Sequence, residues 1–216
     1  MFRLFALLIG YCFGLFQTSY FIGRSKGIDI RTKGSGNAGM TNTLRVFGGK
    51  AAVLVLFCDA LKCILSVVIA RILFCRVDPG LTAMVSSYAA FGAVLGHVFP
   101  FYMHFKGGKG VACTCGAGMI FCVPSFLISV VLFLGIVFGT GYVSLGSLAA
   151  TLTFLITYLI FDHRQMFGIQ DTHFVETAIV TAGIVALIWF KHRANIKRLL
   201  SGTENKTHLG PKKKEE

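Results

Sequence analysis

Long apolar segments separated by short polar and glycine-rich ones constrain this chain more than any other feature of its sequence. Only 14% of the 216 residues are charged, and the mean hydropathy is +0.72. A helix needs ~20 consecutive apolar residues to cross a bilayer. The segments that reach or approach this length are 2–22, 50–74, 81–103, 111–138, 148–161 and 174–190. The sequence therefore predicts an all-α, polytopic integral membrane protein and excludes a soluble globular domain.

The longest apolar segment, 111–138, contains Pro124 near its middle, and proline breaks or kinks a helix. Dividing the segment there predicts seven transmembrane helices. The polar segment 23–49 and the adjacent Lys50 hold six Lys and Arg residues, and the tail from Lys191 onward holds eight. Because cytoplasmic loops are rich in these cations, both segments are predicted to be cytoplasmic.

This topology places the N-terminus outside and the C-terminus inside a bacterial (inner) membrane. The segments that it brings together at the cytoplasmic face are 23–49, 104–110, 139–147 and 191–216. Residues 1–206 are predicted to form a single membrane-embedded domain, and 207–216 a basic, disordered tail. The segment 2–22 lacks a small-residue cleavage site, so we expect a retained helix rather than a signal peptide.

The charge and the cysteines fit the same description. The net charge of +12 comes from cations in a few segments between helices, which indicates membrane topology rather than a nucleic-acid-binding surface. All seven cysteines lie in or beside apolar segments, and no CxxC pair occurs. We therefore expect buried thiols rather than disulfides or zinc ligands.

The segment 33–45 concentrates glycines, small polar side chains and cations between two apolar segments. Glycines let a ligand approach the backbone closely, and exposed N–H groups with hydroxyl and amide side chains can bind phosphate oxygens. Arg45 adds a planar cation that suits phosphate. The segment also matches the dinucleotide pattern G-x-G-x-x-G, but polar residues precede it where that motif needs a strand, so we reject this interpretation. The remaining alternative is an ordinary polar loop.

Two further segments carry similar chemistry. Residues 106–110 read Lys-Gly-Gly-Lys-Gly, a flexible cationic loop that lacks the Ser or Thr of a P-loop. The alternative is a bend whose lysines reach the membrane surface. Residues 192–204 are predicted to continue a helix, with His192 and Asn195 on one face. The alternative is a basic juxtamembrane segment, which the cation bias of cytoplasmic segments would supply unaided.

Asp59 and Lys62 lie three residues apart inside the segment 50–74, so they can share one helix face. Charges within a membrane are costly and are usually paired or functional. Pairing of these two groups, with each other or across helices, and direct contact with a substrate are both open. We expect His97, at a helix end before Pro100, to be a structural hydrogen-bonding group.

The three polar segments, in this order and spacing, carry a resemblance that covers the chain to about Lys206. The sequence resembles the bacterial acyl-phosphate:glycerol-3-phosphate acyltransferase family (PlsY-type). The matching motifs are Ser-Gly-Asn-Ala-Gly-Met-Thr-Asn-x-x-Arg, Gly-His-x-Phe-Pro-x5-Lys-Gly-Gly-Lys-Gly-Val and His-Arg-x-Asn-Ile-x-Arg-Leu-x-x-Gly-x-Glu. Departures from the family pattern are small, at Ala38 and Met40, and neither removes a polar ligand.

The resemblance implies transfer of a fatty acyl group from acyl phosphate to the 1-hydroxyl of sn-glycerol 3-phosphate, the first step of phospholipid synthesis. The products would be lysophosphatidic acid and inorganic phosphate. The partners implied are these two substrates and membrane lipid, with no nucleic acid. Because acyl phosphate is already activated, no cofactor, no metal and no covalent enzyme intermediate is required.

The resemblance also assigns residues. Those that would hold the acyl phosphate are Ser35, Gly36, Asn37, Thr41 and Asn42. Those that would hold glycerol 3-phosphate are Arg45, Lys106, Ser144, His192 and Asn195. Gly107 and Gly108 would contact substrate, and Lys109 could serve either one. Five of these are predicted to be catalytic: Ser35, Arg45, Lys106, His192 and Asn195.

The same residues admit other functions. A transporter of a phosphorylated solute could use these cations and the Asp59/Lys62 pair. A scaffold would tolerate the loss of Ser35 and Arg45. None of the six histidines is followed by Asp five residues later, so the dyad of soluble-loop glycerolipid acyltransferases is absent. We therefore expect acyl phosphate rather than acyl-CoA or acyl-carrier protein as the donor. A substrate phosphate is expected to take the proton of the attacking hydroxyl, and His192 to position glycerol 3-phosphate.

Overall fold

The structure, a computed structural model, describes residues 1–76, 78–163 and 172–207. These residues are mainly helical, and no strand occurs among them. The α-helices are α1 (Phe2–Gly14), α2 (Thr18–Ser25), α3 (Met40–Phe47), α4 (Gly49–Phe74), α5 (Thr82–Val98), α6 (Val111–Phe121), α7 (Val123–Thr140), α8 (Val143–His163), α9 (Phe174–Lys191) and α10 (Arg193–Leu200). The predicted all-α class is confirmed. The predicted disordered tail lies, from residue 208 onward, outside the described residues.

Six helical segments are long and apolar enough to cross a membrane, counted within the described ranges. These are Phe2–Ser25, Gly49–Phe74, Pro79–Met103, Val123–Thr140, Val143–His163 and Phe174–Lys191. The remaining apolar helix, α6, has 11 residues. At 1.5 Å per residue it spans ~16 Å, about half of a ~30 Å hydrocarbon core. A membrane protein is thus confirmed, whereas seven complete spans are not.

The predicted break in the segment 111–138 is present. Helix α6 ends at Phe121, Cys122 has extended backbone angles, and Pro124 lies in the first turn of α7. Proline is tolerated there because the first turn of a helix has backbone N–H groups without intrahelical acceptors. The two helices therefore form a hairpin rather than one kinked span.

Two other boundaries differ from the predictions. The segment 139–147 is not a loop, because α7 continues to Thr140 and α8 begins at Val143. A Cβ on Gly146 would lie 2.9 Å from Val137 Cγ2, so this small residue allows close helix packing rather than a turn. The segment 23–49 is also partly helical, since α3 begins at Met40. Both segments are rich in glycine, which from the sequence favours a loop over a helix.

Glycines allow the central helices to touch backbone to backbone. Gly10 and Gly14 on α1 face α5, and Gly92 and Gly96 on α5 face α1. A Cβ on any of the four would lie 2.0–2.3 Å from a backbone oxygen of the other helix. Small residues four apart are a usual means of helix association in lipid, where the hydrophobic effect gives no drive between helices. This contact fixes α5, whose C-terminal end carries His97, beside the polar face of the molecule.

Candidate active site

Four polar segments that are distant in sequence meet at one face of the helical bundle. Arg45 Nη2 donates to Thr207 Oγ1 at 3.4 Å, and Thr207 N donates to Gly141 O at 2.8 Å. Lys109 Nζ donates to Asn195 Oδ1. The two ends of the α6–α7 hairpin therefore lie at the same face as the first polar segment and the tail. This confirms the predicted convergence, and it shows that residues up to Thr207 pack on the domain.

A cavity of about 640 Å³ extends from this face between the helices. Its polar lining includes Ser35, Asn37, Thr41, Asn42, Arg45, Lys109, Ser144, His192, Asn195, Arg198 and Glu204. Its apolar lining comes from α4, α6, α7 and α8 and includes Leu56, Phe57, Val111, Met119, Phe126, Val130, Phe133, Ala150 and Phe154. One continuous space thus joins a cationic polar site to an apolar region.

Asn42 shapes the glycine-rich turn at the mouth of the cavity. Its Oδ1 accepts from Ser35 N at 2.7 Å, and its Nδ2 donates to Ile30 O at 3.2 Å and Lys33 O at 3.0 Å. Asn42 is buried, and both of its amide atoms are engaged by the backbone of the turn. A Cβ on Gly34 would lie 2.2 Å from Asn42 Oδ1, so this turn requires glycine. Asn42, predicted to bind substrate, therefore also holds the turn that presents Ser35.

Several other polar residues of the first motif line the cavity. Ser35 is exposed, Asn37 and Thr41 are half-buried, and all three line the cavity. Gly36 has a φ of +71° and is exposed beside them without lining the cavity. Arg45 is exposed on α3 and lines the cavity, with Thr207 as its hydrogen-bonding partner.

The second motif presents one of its two lysines to the cavity. Gly107 N donates to Val98 O at 3.2 Å, and Gly108 N donates to His97 O at 3.1 Å. A Cβ on Gly108 would lie 2.1 Å from His97 Nε2 and 2.8 Å from Ala38 O, so this glycine sits tightly between the first motif and α5.

Lys109 lines the cavity as a result of this packing, whereas Lys106 is exposed and lies outside the cavity lining. Gly107 and Gly108 also lie outside the lining. In the structure, these two glycines let the second motif pack closely against the end of α5 and the first motif. The predicted contacts of these three residues with substrate stay predictions.

Glu204 is the acceptor at the centre of the polar site. Its Oε1 accepts from Asn195 Nδ2 at 2.6 Å and from Ser144 Oγ at 3.0 Å, and its Oε2 accepts from Arg198 Nε at 2.7 Å. Burial alone would raise the pKa of Glu204, but these hydrogen bonds hold it below its ordinary value. The carboxylate is therefore charged and ties α8, α10 and the tail into one site.

Burial shifts the pKa values of both Lys109 and His192. Burial lowers the pKa of Lys109 to about 8, with Glu204 opposing the shift. Burial, helped by the charge on Lys109, lowers the pKa of His192 to about 4. His192 Nδ1 lies 2.8 Å from Ile188 O, and because a carbonyl can only accept, Nδ1 must carry the proton. A neutral His192 therefore leaves Nε2 as an acceptor.

A buried ionic group lies directly behind the site. Lys62 Nζ lies 2.9 Å from an Asp59 carboxylate oxygen and donates to Phe16 O at 2.6 Å. Asp59 and His97 both line the cavity. Of the two alternatives left open for Asp59 and Lys62, pairing with each other is observed. The structural role expected of His97 stays a prediction. Within residues 1–76, 78–163 and 172–207, no cluster of three His, Cys, Asp or Glu side chains could hold a metal ion.

Sequence reasoning missed two members of the site, Arg198 and Glu204. From the sequence alone, the position of Glu204 beyond Gly202 predicts only that it neutralises nearby cations. It does pair with Arg198, but it also accepts from Ser144 and Asn195 inside the cavity. A signal was present in Gly202, which has a φ of +69° and allows the chain to turn back after α10.

The fold and the site together define a multi-pass membrane protein that can hold an apolar chain and an anionic polar group side by side. Comparisons with known proteins show which family of membrane proteins this is. The model of the family described as glycerol-3-phosphate acyltransferase matches residues 4–202. The chain is 42% identical over 210 residues to the glycerol-3-phosphate acyltransferase of Halalkalibacterium halodurans, covering 96% of each chain. The chain therefore belongs to the glycerol-3-phosphate acyltransferase family.

Two solved structures agree with this assignment. Both are of PlsY (YgiH), described as an integral membrane glycerol 3-phosphate acyltransferase, and both are 34% identical to this chain. The glycerol 3-phosphate form superposes with a TM-score of 0.82, covering 95% of this chain and 96% of the other. The lysophosphatidic acid form gives 0.79, covering 94% of each. The all-helical membrane fold is thus shared with an enzyme of this family.

Proposed function

We propose that this protein transfers a fatty acyl group from acyl phosphate to the 1-hydroxyl of sn-glycerol 3-phosphate, giving lysophosphatidic acid and inorganic phosphate. One observation carries the proposal: a single cavity of about 640 Å³ joins a site rich in cations and hydrogen-bond donors to an apolar region. Both proposed substrates bear phosphate, and one of them bears an acyl chain. The crystallised relatives, whose forms are named for glycerol 3-phosphate and lysophosphatidic acid, support the acceptor and the product.

The donor would bind at the first motif. Ser35, Gly36 and Asn37 form the turn that Asn42 holds open, and Thr41 lies in the first turn of α3. The backbone N–H groups of Ser35 and Gly36 donate within the turn, to Asn42 Oδ1 and Lys33 O. The groups that would meet the phosphate oxygens are therefore the Ser35 and Thr41 hydroxyls and the Asn37 amide, which line the cavity. The acyl chain would then extend between α6, α7 and α8, along the apolar lining.

The acceptor would bind opposite the donor. Lys109, Arg45 and His192 line the cavity at its polar end, with Asn195 and Ser144 held beside them by Glu204. Cations and hydrogen-bond donors placed here would stabilise the tetrahedral oxyanion and the departing phosphate. Lys106 lies outside the cavity, so its proposed contact with glycerol 3-phosphate rests on the motif alone.

In the proposed reaction the 1-hydroxyl oxygen attacks the acyl carbon, and the bond from that carbon to the phosphate oxygen breaks. The hydroxyl proton passes to a phosphate oxygen of a substrate, whose second pKa is near ~6. His192, with a pKa of about 4, is the weaker base. Its Nε2 is available to accept a hydrogen bond from glycerol 3-phosphate, which suits a positioning role.

Release of phosphate from palmitoyl phosphate by the purified protein in detergent tests the function. We expect phosphate release that depends on glycerol 3-phosphate, with lysophosphatidic acid formed in equal amount. Turnover with purified acyl-CoA alone would contradict the proposed donor. A transporter, which has no support from the comparisons, would release no phosphate in the absence of a membrane gradient.

We also propose that the polar face is cytoplasmic, in a bacterial inner membrane, with the N-terminus outside. The cation content of this face supports the orientation. Ser201 is exposed after α10 and suits labelling after Ser201→Cys in a variant without the native cysteines. An impermeant thiol reagent should label it only after the cells are permeabilised, and labelling in intact cells would reverse the orientation.

A further inference from the structure

The lining of the cavity stops before the far ends of α7 and α8, at Phe126 and Phe154. Gly118 on α6, Phe126 on α7 and Phe154 on α8 all line the cavity. A Cβ on Gly118 would lie 3.1 Å from Phe126 Cδ2 and 3.3 Å from Phe154 Cε2. The two aromatic rings therefore meet over Gly118, where α6 has no side chain.

A packed aromatic cluster lies behind this end. The rings of Phe154 and Tyr158 are stacked with centroids 5.9 Å apart, and the centroids of Phe121 and Tyr158 are 6.4 Å apart. Phe154, Tyr158 and Cys122 form a buried core together. Because packed side chains fill this region, the cavity cannot extend further without displacement of a ring.

The end wall lies at a definite depth below the polar site. Ser144, which bonds Glu204, and Phe154 both face the cavity from α8, ten residues apart. That separation corresponds to ~15 Å along the helix axis. The break at Cys122 between α6 and α7 lies just beyond Gly118, so the short length of α6 places the wall at this depth.

We propose that Gly118, Phe126 and Phe154 form the wall that sets the length of acyl chain this enzyme accepts. This inference rests on the proposed function, since it assumes an acyl donor in the cavity. An acyl chain long enough to reach the wall fills the cavity, and a longer one must displace the aromatic rings. The absence of a side chain at position 118 then sets the maximum depth, and any larger residue there shortens the cavity.

The side of the cavity offers a competing path. Val53, Phe57 and Leu134 line it and are 41–63% exposed in the protein alone, so a chain could also leave between α4 and α7 into lipid. A chain that followed this path would meet no wall, and its length would not matter. The preference among donors of different length therefore separates the two arrangements.

The test is a comparison of kcat/KM for decanoyl, myristoyl and palmitoyl phosphate at saturating glycerol 3-phosphate. Gly118→Leu should lower the ratio of palmitoyl to decanoyl activity by about ten-fold or more, since even one methylene in an apolar pocket changes selectivity by ~10- to 200-fold. Phe154→Ala should raise this ratio. Gly135→Leu is the matched control, because nothing lies within 4 Å of that position. Ile128→Ala, at an exposed residue on α7 outside the cavity lining, is the second control.

The outcomes are distinguishable from failure of the proposed function. If the wild-type protein turns over none of the three acyl phosphates, the proposed function fails. If it turns over all three and both variants keep the wild-type ratio, the wall does not set chain length and the side path is used. If Gly118→Leu is inactive with every donor, Phe154→Ala is the deciding variant. A raised ratio of palmitoyl to decanoyl activity supports the proposed wall, and an unchanged ratio contradicts it.

Discussion

Lys62 Nζ lies 2.8 Å from His97 Nδ1, which joins a buried ion pair on α4 to the helix end that supports the second glycine-rich motif. The two side chains are 4% and 3% exposed. The other nitrogen of the His97 ring packs against Gly108, next to Lys109. The buried pair therefore lies one side chain away from the turn that carries a cation into the cavity.

The first prediction concerns this pair. Lys62→Met should destabilise the protein by ~3–5 kcal/mol, since it leaves Asp59 buried without its partner. The double variant with Asp59→Asn should recover much of that loss, because no unpaired charge remains. Thermal unfolding in detergent measures both, with Lys50→Met, at an exposed position, as the control. Equal destabilisation of the single and double variants would show that the charges do not act as a pair.

The second prediction tests the packing of Gly108 between His97 and Ala38. Gly108→Ala places a Cβ 2.1 Å from His97 Nε2, so the turn must shift and move Lys109 away from Asn195. Overpacking of this kind costs ~1–3 kcal/mol of folding stability, which thermal unfolding in detergent measures. Because Lys109 is displaced, kcat/KM for glycerol 3-phosphate should also fall by ~10-fold or more, as for loss of a charge-assisted hydrogen bond. Gly49→Ala, with nothing within 4 Å, is the control. Wild-type kinetics in Gly108→Ala would mean that the turn adapts without cost.

The third prediction compares Arg45 of the first motif with Lys106 of the second. Arg45→Ala should raise the KM for glycerol 3-phosphate ~10- to 150-fold, as expected for loss of a charge-assisted hydrogen bond. Lys106→Ala should do the same if the exposed side chain closes on bound substrate. Steady-state kinetics of each variant measures this. If Lys106→Ala has wild-type kinetics while Arg45→Ala is impaired, glycerol 3-phosphate is bound by the cavity residues without Lys106.

The fourth prediction follows from the pKa of about 8 for Lys109. Since burial lowers this pKa from its ordinary value, Lys109 is charged below pH 8 and loses its charge as the pH rises through that value. The kcat/KM of the enzyme should therefore fall above pH 8, because this ratio reports groups of the free enzyme. Lys109→Arg should move the fall to higher pH, since arginine stays charged. If kcat/KM of Lys109→Arg falls at the same pH as that of the wild type, the fall is due to the titration of another group.

The sequence predicted much of this arrangement, for physical reasons that differ between its parts. Apolar length and cation placement identified the membrane fold and the polar face, and the i, i+3 spacing showed that Asp59 and Lys62 could pair. Neither the role of Glu204 nor the difference between Lys106 and Lys109 could be predicted. The first depends on a turn of the chain after α10, and the second on how Gly108 packs against His97. Both are tertiary contacts that leave no periodic pattern in the sequence.

The last prediction concerns the proton of the attacking hydroxyl. His192 donates through Nδ1 to Ile188 O, and its pKa of about 4 makes it a weaker base than a substrate phosphate. His192→Gln, which keeps a side chain able to donate and accept hydrogen bonds, should therefore retain measurable turnover with a raised KM for glycerol 3-phosphate.

Saturating glycerol 3-phosphate should restore most of the activity of His192→Gln, because only acceptor binding is weakened. The matched control is Asn205→Ala, at another residue that lines the cavity and has no assigned role. The mechanism in which a substrate phosphate takes the proton is wrong if saturating acceptor fails to rescue His192→Gln while added imidazole succeeds. Imidazole would then replace a base that the side chain had supplied, and His192 would be that base.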